Sequence, residues 1–269
     1  MQTKDVFSVA AASALALGNS MATLVAYFPL DGNFDDASGN GNNGTMFGGV
    51  TYGDGASAIG GGQAAIFDGA AGTYGAVDTG LNLSGKANFS VAMWVSGDGA
   101  VGSDDRVFSE GSSTNNNPLF NIGTHNQGAD GTVDFYIRNG AAAQTLNHYH
   151  SPGTAFDGTW HHIAVVGGDD GLLDLYIDGV LDGTADYTMV PSFDGVTDTT
   201  TIGGILRATD CCNFSGSIDD VSLWDSDLSP AQISALAGGA PATAVSAIPE
   251  PSAALLGLTG LLLAFRRRR

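Results

Sequence analysis

The chain of 269 residues carries 28 acidic against 9 basic side chains, a formal net charge of −19, together with 40 glycines and only two cysteines. Such a surface repels nucleic acid and anionic membrane, which argues against a phosphate-binding role and for solubility at a cell exterior and attraction of divalent cations. Glu110 and Glu250 are the only glutamates, and the aspartates, asparagines and glycines that dominate instead mark turns between strands.

In chain order, Lys4, the apolar residues 6–17 and the small residues up to Ala22 read as a signal peptide over 1–22, with Asp5 an awkward member of its basic start. Short strand patterns bounded by Gly, Asn or Asp follow at 24–28, 65–67, 89–95, 107–108, 132–138, 163–166, 172–178 and 217–224. Regular short strands predict an all-β sandwich or barrel, and 23–237 is a length that a sandwich fills as a single core. Asp178-Gly179, between alternating residues, predicts a type I′ hairpin turn. Ser229 as N-cap and Pro230 at the first helical position predict one short helix through Gln232 and Ile233 to Ala237, stopped by Gly238. Residues 238–247, small and polar, read as a flexible linker.

The tail at 248–269 opens with Pro249, Glu250 and Pro251, continues with an uncharged apolar run and ends in arginines 266–269. The run of residues 253–265 would rise about 20 Å as a helix, short of the roughly 30 Å hydrocarbon core. The terminal arginines would stay cytoplasmic, which implies that everything before Pro249 is exported. This order resembles the PEP-CTERM sorting signal of Gram-negative bacteria. The resemblance implies transient inner-membrane insertion, processing by an exosortase-type enzyme near 249–251, and a final place at the cell surface or in the extracellular matrix. Without its two ends the exported body carries about −22, an excess that keeps it soluble.

Four blocks in the body occur in one order: LVAYFPLDGN at 24–33 with DASGNGNNGT at 36–45, FSVAMWV at 89–95, TWHHIAV at 159–165 with LYIDG at 175–179, and FSGSIDDVSLW at 214–224 followed by Leu228 and Ser229. They resemble concanavalin A-like lectin/glucanase domains of the laminin G type, which implies an antiparallel jelly-roll sandwich with one concave sheet. In many such domains a structural calcium ties the N-terminal strand to the C-terminal one, and the matching positions are Asp31, Asn33 or Asp36 with Asp219. Asp31, Asn33, Asp35 and Asp36 do offer oxygens to a hard cation, but Asp36 and Asn42 break the helix-loop calcium motif. The same residue types also build plain Asx turns.

Alternation along 132–138 sends Val133, Phe135 and Ile137 one way and Asp134, Tyr136 and Arg138 the other. The same reading sets Trp94 and Tyr176 opposite their strands' apolar rows, and together these five residues predict an aromatic and polar face for a glycan. Coverage by loops or cross-strand pairing is the competing reading. A two-carboxyl glycosidase site has little support, because Glu110 is the body's only glutamate and adjacent aspartates such as Asp219 and Asp220 would face opposite sides of a strand. His148 and His150 would share a strand face, yet two imidazoles do not complete a zinc site. Cys211 and Cys212 admit free thiols, an intermolecular bridge or a vicinal disulfide, of which the ring is favoured as a stiffener of the loop before the last strand. The sequence thus points to an exported, non-catalytic, calcium-stabilised carbohydrate-binding or adhesive domain. A glycan-active enzyme and a purely structural surface protein are the alternatives.

Overall fold

Apolar and polar residues alternating between Asp-, Asn- and Gly-rich turns build fifteen strands in the computed structural model, which describes residues 21–56, 60–77, 80–97, 104–117, 119–140, 144–187, 197–208 and 211–248. Residues 1–20 of the expected signal peptide lie outside the described residues. So do Pro249, Glu250 and Pro251 with the apolar tail helix expected after them. Among the described residues no helix is long and apolar enough to cross a membrane.

The strands are β1 (Leu24–Phe28), β2 (Gly44–Phe47), β3 (Thr51–Asp54), β4 (Gln63–Asp68), β5 (Tyr74–Val77), β6 (Phe89–Gly97), β7 (Arg106–Gly111), β8 (Leu119–Thr124), β9 (Thr132–Arg138), β10 (Gln144–Thr154), β11 (His161–Gly167), β12 (Leu172–Ile177), β13 (Val180–Asp186), β14 (Thr199–Ile202) and β15 (Ser215–Trp224). Two short helices follow, α1 (Pro230–Ala237) and α2 (Ala242–Val245). Sheet I has eight strands in the order β13-β12-β11-β6-β15-β4-β3, with β1 also paired to β15. Sheet II has seven, in the order β10-β9-β8-β7-β14-β5-β2. Every pairing between these strands is antiparallel, an isolated parallel bridge joining Arg106 to Asn213, and the crossed order of neighbours is that of a jelly-roll sandwich, the all-β architecture expected from the sequence.

One shared core fills the space between the sheets. Sheet I contributes Phe89, Val91, Met93 and Val95 of β6 with Leu173 and Leu175 of β12, and sheet II contributes Val133, Phe135 and Ile137 of β9. Phe89 meets Phe120 of the opposite sheet edge-on with centroids 5.3 Å apart, and Phe120 in turn contacts Phe108 and Phe135. Such edge-to-face contacts add directional preference to plain area burial. The β12–β13 hairpin pairs Ile177 with Val180 across Asp178 and Gly179, whose φ angles of 50° and 79° are both positive, as a type I′ turn requires.

A second apolar layer seals the outer side of sheet I. Ser229 accepts a hydrogen bond from the backbone of Gln232 while the Gln232 side chain accepts one from the backbone of Ser229, a capping box that starts α1 where the sequence places it. Ile233 and Leu236 then pack with Leu228 on Tyr27, Ala92, Tyr176 and Trp224. The segment expected to be a flexible linker is corrected here: α2 forms within it, and Ala242 and Val245 are buried in the same layer. Their spacing of three puts both on one side of a helical turn, a pattern too short to stand out among the surrounding alanines.

Trp224 is fully buried at the centre of this layer, and its indole N–H reaches Ser222 Oγ at 3.1 Å. Trp224→Ala is expected to destabilise the domain by about 3–5 kcal/mol, measured by urea unfolding. A loss below about 1 kcal/mol, the size of an ordinary surface change, would show that the helical layer contributes little to the fold.

Candidate functional site

Two clusters of polar side chains stand out, and each sits where a strand departs from regular pairing. The first lies on β15. Along one edge β15 pairs with β4 through residues 215–218 and then with β1 through residues 221–224, so Asp219 and Asp220 fall at the handover. The register against β6 shifts at the same point, and Asp220 takes a left-handed φ of 48°. This bulge overturns the expectation from simple alternation. Instead of facing opposite sides, Asp219 and Asp220 both line one pocket of about 220 Å³ with Asp31, Tyr27 and Gly61.

The chemistry of this pocket is that of crowded oxygens. Asp219 is almost wholly buried and accepts the N–H of Ala56 at 2.9 Å, Asp31 accepts that of Gln63 at 2.6 Å, and Tyr27 donates its hydroxyl to Asp220. Burial first, then the charges of Asp220 and Asp31, push the Asp219 carboxyl up to about 7 against the N–H groups that lower it. Burial and the Asp31 charge raise Asp220 too, and the Tyr27 hydroxyl is raised by burial and by its bond to Asp220. The backbone makes room for the carboxylates with glycine. A Cβ on Gly62 would stand 2.5 Å from Asp31 Oδ1, and one on Gly55 would stand 2.7 Å from Asp219 Oδ2. A hard divalent cation suits this donor set, since it would relieve the mutual repulsion that raises the two carboxyls.

Asn33 and Asp36, expected to share this site, are engaged elsewhere. Asn33 Oδ1 accepts the N–H of Asp35. Asp36 accepts the N–H groups of Tyr27 and Ser38 on one oxygen and of Asn42 on the other. Although desolvation pushes the Asp36 carboxyl up, these hydrogen bonds outweigh it and hold the group below its ordinary value. Asp36 therefore anchors its own loop, and Asp220 takes the place in the acidic pocket that the sequence offered to Asn33 or Asp36.

The five residues expected on one glycan-binding face belong to two. Trp94 and Tyr176 lie on the outer side of sheet I, where α1 and α2 cover that side; Trp94 packs edge-on against buried His162 at 5.5 Å, and both residues are buried. Asp134, Tyr136 and Arg138 lie on the outer side of sheet II. Alternation says which side of its own strand a residue faces but not which sheet that strand joins, and this is why the set divides.

The outer side of sheet II holds the second cluster. Asp134 is fully buried and pairs with the equally buried Arg106 at 2.7 Å, and Arg106 also pairs with Asp104. Register connects Leu146 with Ile137 and Tyr149 with Phe135, so Asn147 and His148 together oppose Tyr136 in a bulge. His148 adopts a left-handed φ of 54° there, stacks on the Tyr136 ring at 4.4 Å and places Nδ1 2.9 Å from Asp134 Oδ2. His150 Nε2 lies 3.3 Å from the other oxygen of Asp134 and 3.0 Å from Asn126 Oδ1, and the His125 ring packs on it at 3.8 Å. Burial lowers the His150 pKa, with the neighbouring His125 and His148 adding to the effect. Asp130, bound to His125, is held down at about 2 by hydrogen bonds from Thr132.

A loop covers one end of this face. Cys211 and Cys212 form a vicinal disulfide whose two residues pack, with Ile205, on Tyr136 and Leu119. Arg207 on the same loop and Arg138 at the strand end stand close enough that, after burial, the Arg138 charge lowers the Arg207 pKa. Glu110 serves the interior of the fold, where it is fully buried and accepts the N–H of Leu83 at 2.8 Å and the hydroxyl of Thr200 at 3.1 Å.

These features define a two-sheet jelly-roll domain with one helix-sealed face, one open polar face and an acidic pocket at a strand junction. The laminin G-type family model described as the Concanavalin A-like lectin/glucanases superfamily matches residues 68–234, more than half of the chain, and the chain belongs to this family. Among solved structures, domain 4 of AbnA, a GH43 extracellular arabinanase from Geobacillus stearothermophilus solved in complex with arabinotriose, matches with a TM-score of 0.62 and 23% identity over 81% of this chain and 99% of that one. The botulinum neurotoxin serotype G binding domain matches with a TM-score of 0.60 and 13% identity over 80% of this chain and 50% of that one. The binding domain of Paraclostridial Mosquitocidal Protein 1 gives 0.60 and 14% over 80% and 52%. This chain thus spans about half the length of the two toxin structures, and at these identities the likeness establishes the fold. No curated protein sequence matches the chain significantly.

The raised Asp219 carboxyl has a measurable consequence. Between about pH 4 and about pH 7 the unfolded chain ionises this group, whose ordinary value is 3.8, while the folded chain retains the proton. Folding then takes up a proton, so this residue's contribution to stability falls as pH rises through that window and is flat above it. In the absence of divalent cations, the stability difference between wild type and Asp219→Asn, from urea unfolding at a series of pH values, should shift toward the variant across the window. Parallel curves would disprove the raised carboxyl.

Proposed function

We propose that this chain is an exported, non-catalytic carbohydrate-binding domain that engages glycan on the open face of sheet II and is stabilised by calcium in the acidic pocket. One observation carries the reading. Of the four basic residues between 23 and 247, Arg106, Arg138 and Arg207 gather on this face with His125, His148 and His150, while Lys86 pairs with Asp225 elsewhere. In a strongly acidic molecule this is where hydrogen-bond donors concentrate around aromatic surface, the combination that sugar hydroxyls and ring faces require. The arabinotriose complex of the AbnA domain supports the same ligand class.

Asp134 and Tyr136 form the floor of this site rather than its exposed contacts, and Arg138 and the histidines form its rim. Asp31, Asp219 and Asp220 would hold the calcium, bracing β1 against β15. The tail at 249–251, with its apolar run and arginines, supports export and processing by an exosortase-type enzyme in a Gram-negative cell, ending at the surface or in the extracellular matrix.

Two outcomes are expected. On immobilised polysaccharides, including arabinan, the protein should be retained without releasing sugar, and Arg138→Ala should weaken retention roughly tenfold, the worth of one charge-assisted hydrogen bond. Turnover of any of these polysaccharides would overturn the non-catalytic reading. Calcium at about one hundred times its dissociation constant should raise Tm by about 5–10 °C, and Asp220→Asn should shrink that gain. An unchanged Tm would remove calcium from the proposal.

A further inference from the structure

The open face of sheet II holds a constellation that sugar binding does not require. We propose that Asp134, His148 and His150 form a binding site for a first-row transition cation of the zinc class. One donor atom from each of the three lies within 4.8 Å of the others. Two donors bound at zinc distances in a tetrahedron stand about 3.3 Å apart. The observed separations, 2.9 Å from His148 Nδ1 to Asp134 Oδ2 and 3.3 Å from His150 Nε2 to Asp134 Oδ1, lie somewhat below and at that spacing.

Three independent features point to a cation there. Asp134 is fully buried, yet among the described residues its Oδ1 has no hydrogen-bond partner, His150 Nε2 approaching it at 3.3 Å without hydrogen-bond geometry, while Oδ2 takes both Arg106 and His148. An unsatisfied buried carboxylate oxygen costs about 1–3 kcal/mol or more unless something fills the gap. The bulge in β10 holds His148 at φ 54°, a conformation few residues adopt, and so brings its imidazole to the carboxylate that His150 already faces. Finally, outer partners fix the donors. Arg106 grips Asp134, Tyr136 stacks on His148 and His125 packs on His150, the kind of support that orients ligands around a metal.

Donor type selects the ion. Two imidazoles with one carboxylate suit zinc, cobalt or nickel rather than calcium, which takes oxygens. Both histidines remain partly exposed, so the ion would be reachable from solvent. Three protein donors would leave a coordination position for water or an exogenous oxygen, with Asn126 Oδ1 adjacent. This inference does not rest on the glycan reading, because the ion would bind whether or not a sugar does.

The test uses the full chain stripped by a chelator, with no polysaccharide present. Titration with zinc should show one equivalent bound, and cobalt in its place should give visible ligand-field bands that persist in millimolar calcium. His148→Ala and His150→Ala, each confirmed as folded by circular dichroism, should weaken zinc by more than about tenfold, the floor set by losing even an outer partner. Asp134→Asn also strips Arg106 of a partner, so the histidine variants carry the test. Absence of zinc binding in the wild type, wild-type affinity in either histidine variant, or loss of the cobalt bands to calcium would each overturn the site.

Discussion

Two sheets can bury one another only if every strand surrenders alternate side chains to a single shared layer, and the rest of this molecule follows from what becomes of the other row. On sheet I the outward row includes Ala92, Trp94, Ala164 and Tyr176, apolar enough that it needs a second cover. The chain supplies one by returning α1 and α2 across it. On sheet II the outward row on β9 is Asp134, Tyr136 and Arg138, with His148 and His150 beside it on β10, and among the described residues the disulfide loop covers one end. Among the described residues the asymmetry leaves sheet II with an outer face whose histidines and Arg138 stay partly exposed.

Chemistry collects where the alternation fails. Regular pairing would have sent Asp219 and Asp220 to opposite sides and spread the β10 side chains evenly along the edge. Instead, both strands carry a bulge, and both bulges use a residue other than glycine in the left-handed region, Asp220 at 48° and His148 at 54°. Such a residue costs more than glycine would in the same place, so the geometry persists because its surroundings hold it. Around Asp220 those surroundings are Tyr27 and the handover from β4 to β1; around His148 they are the Tyr136 ring and the Asp134 carboxylate.

Legibility in the sequence divides along the same line. β9, whose alternation is clean, and β1, an apolar run bounded by turn residues, were readable to the residue, as were the Asp178-Gly179 turn and the capped start of α1. Strands β2, β3, β5 and β14 are four residues long and built largely of Gly, Thr and Ala, so period and propensity had nothing to grip. β10 was hidden by its bulge, which breaks the period that would have revealed it. For the candidate sites, the direction of Asp134, Tyr136 and Arg138 was legible because it is a local property. Their separation from Trp94 and Tyr176 was not, since it depends on which strands meet across the whole chain. Asp220 and the third ligand beside His148 and His150 were beyond reach for the same reason: a bulge and a register of strands more than ten residues apart decide them.

Charge explains why the open face is the one to weigh. The body is so acidic that its long-range field repels other anions, and an anionic group can approach closely only where that field is locally cancelled. Arg106, Arg138 and Arg207 provide the cancellation, yet Arg106 is buried and bound to Asp104 and Asp134. Burying an ion pair gains little stability over an apolar one, because desolvation offsets the attraction. Its effect is positional. With Arg106 fixed beneath the sheet surface, Asp134 cannot swing outward, and the two imidazoles above it meet a carboxylate held in one place. The pair thus serves as a foundation on which the exposed donors of this face are arranged, whether the group they receive is a hydroxyl or a metal ion.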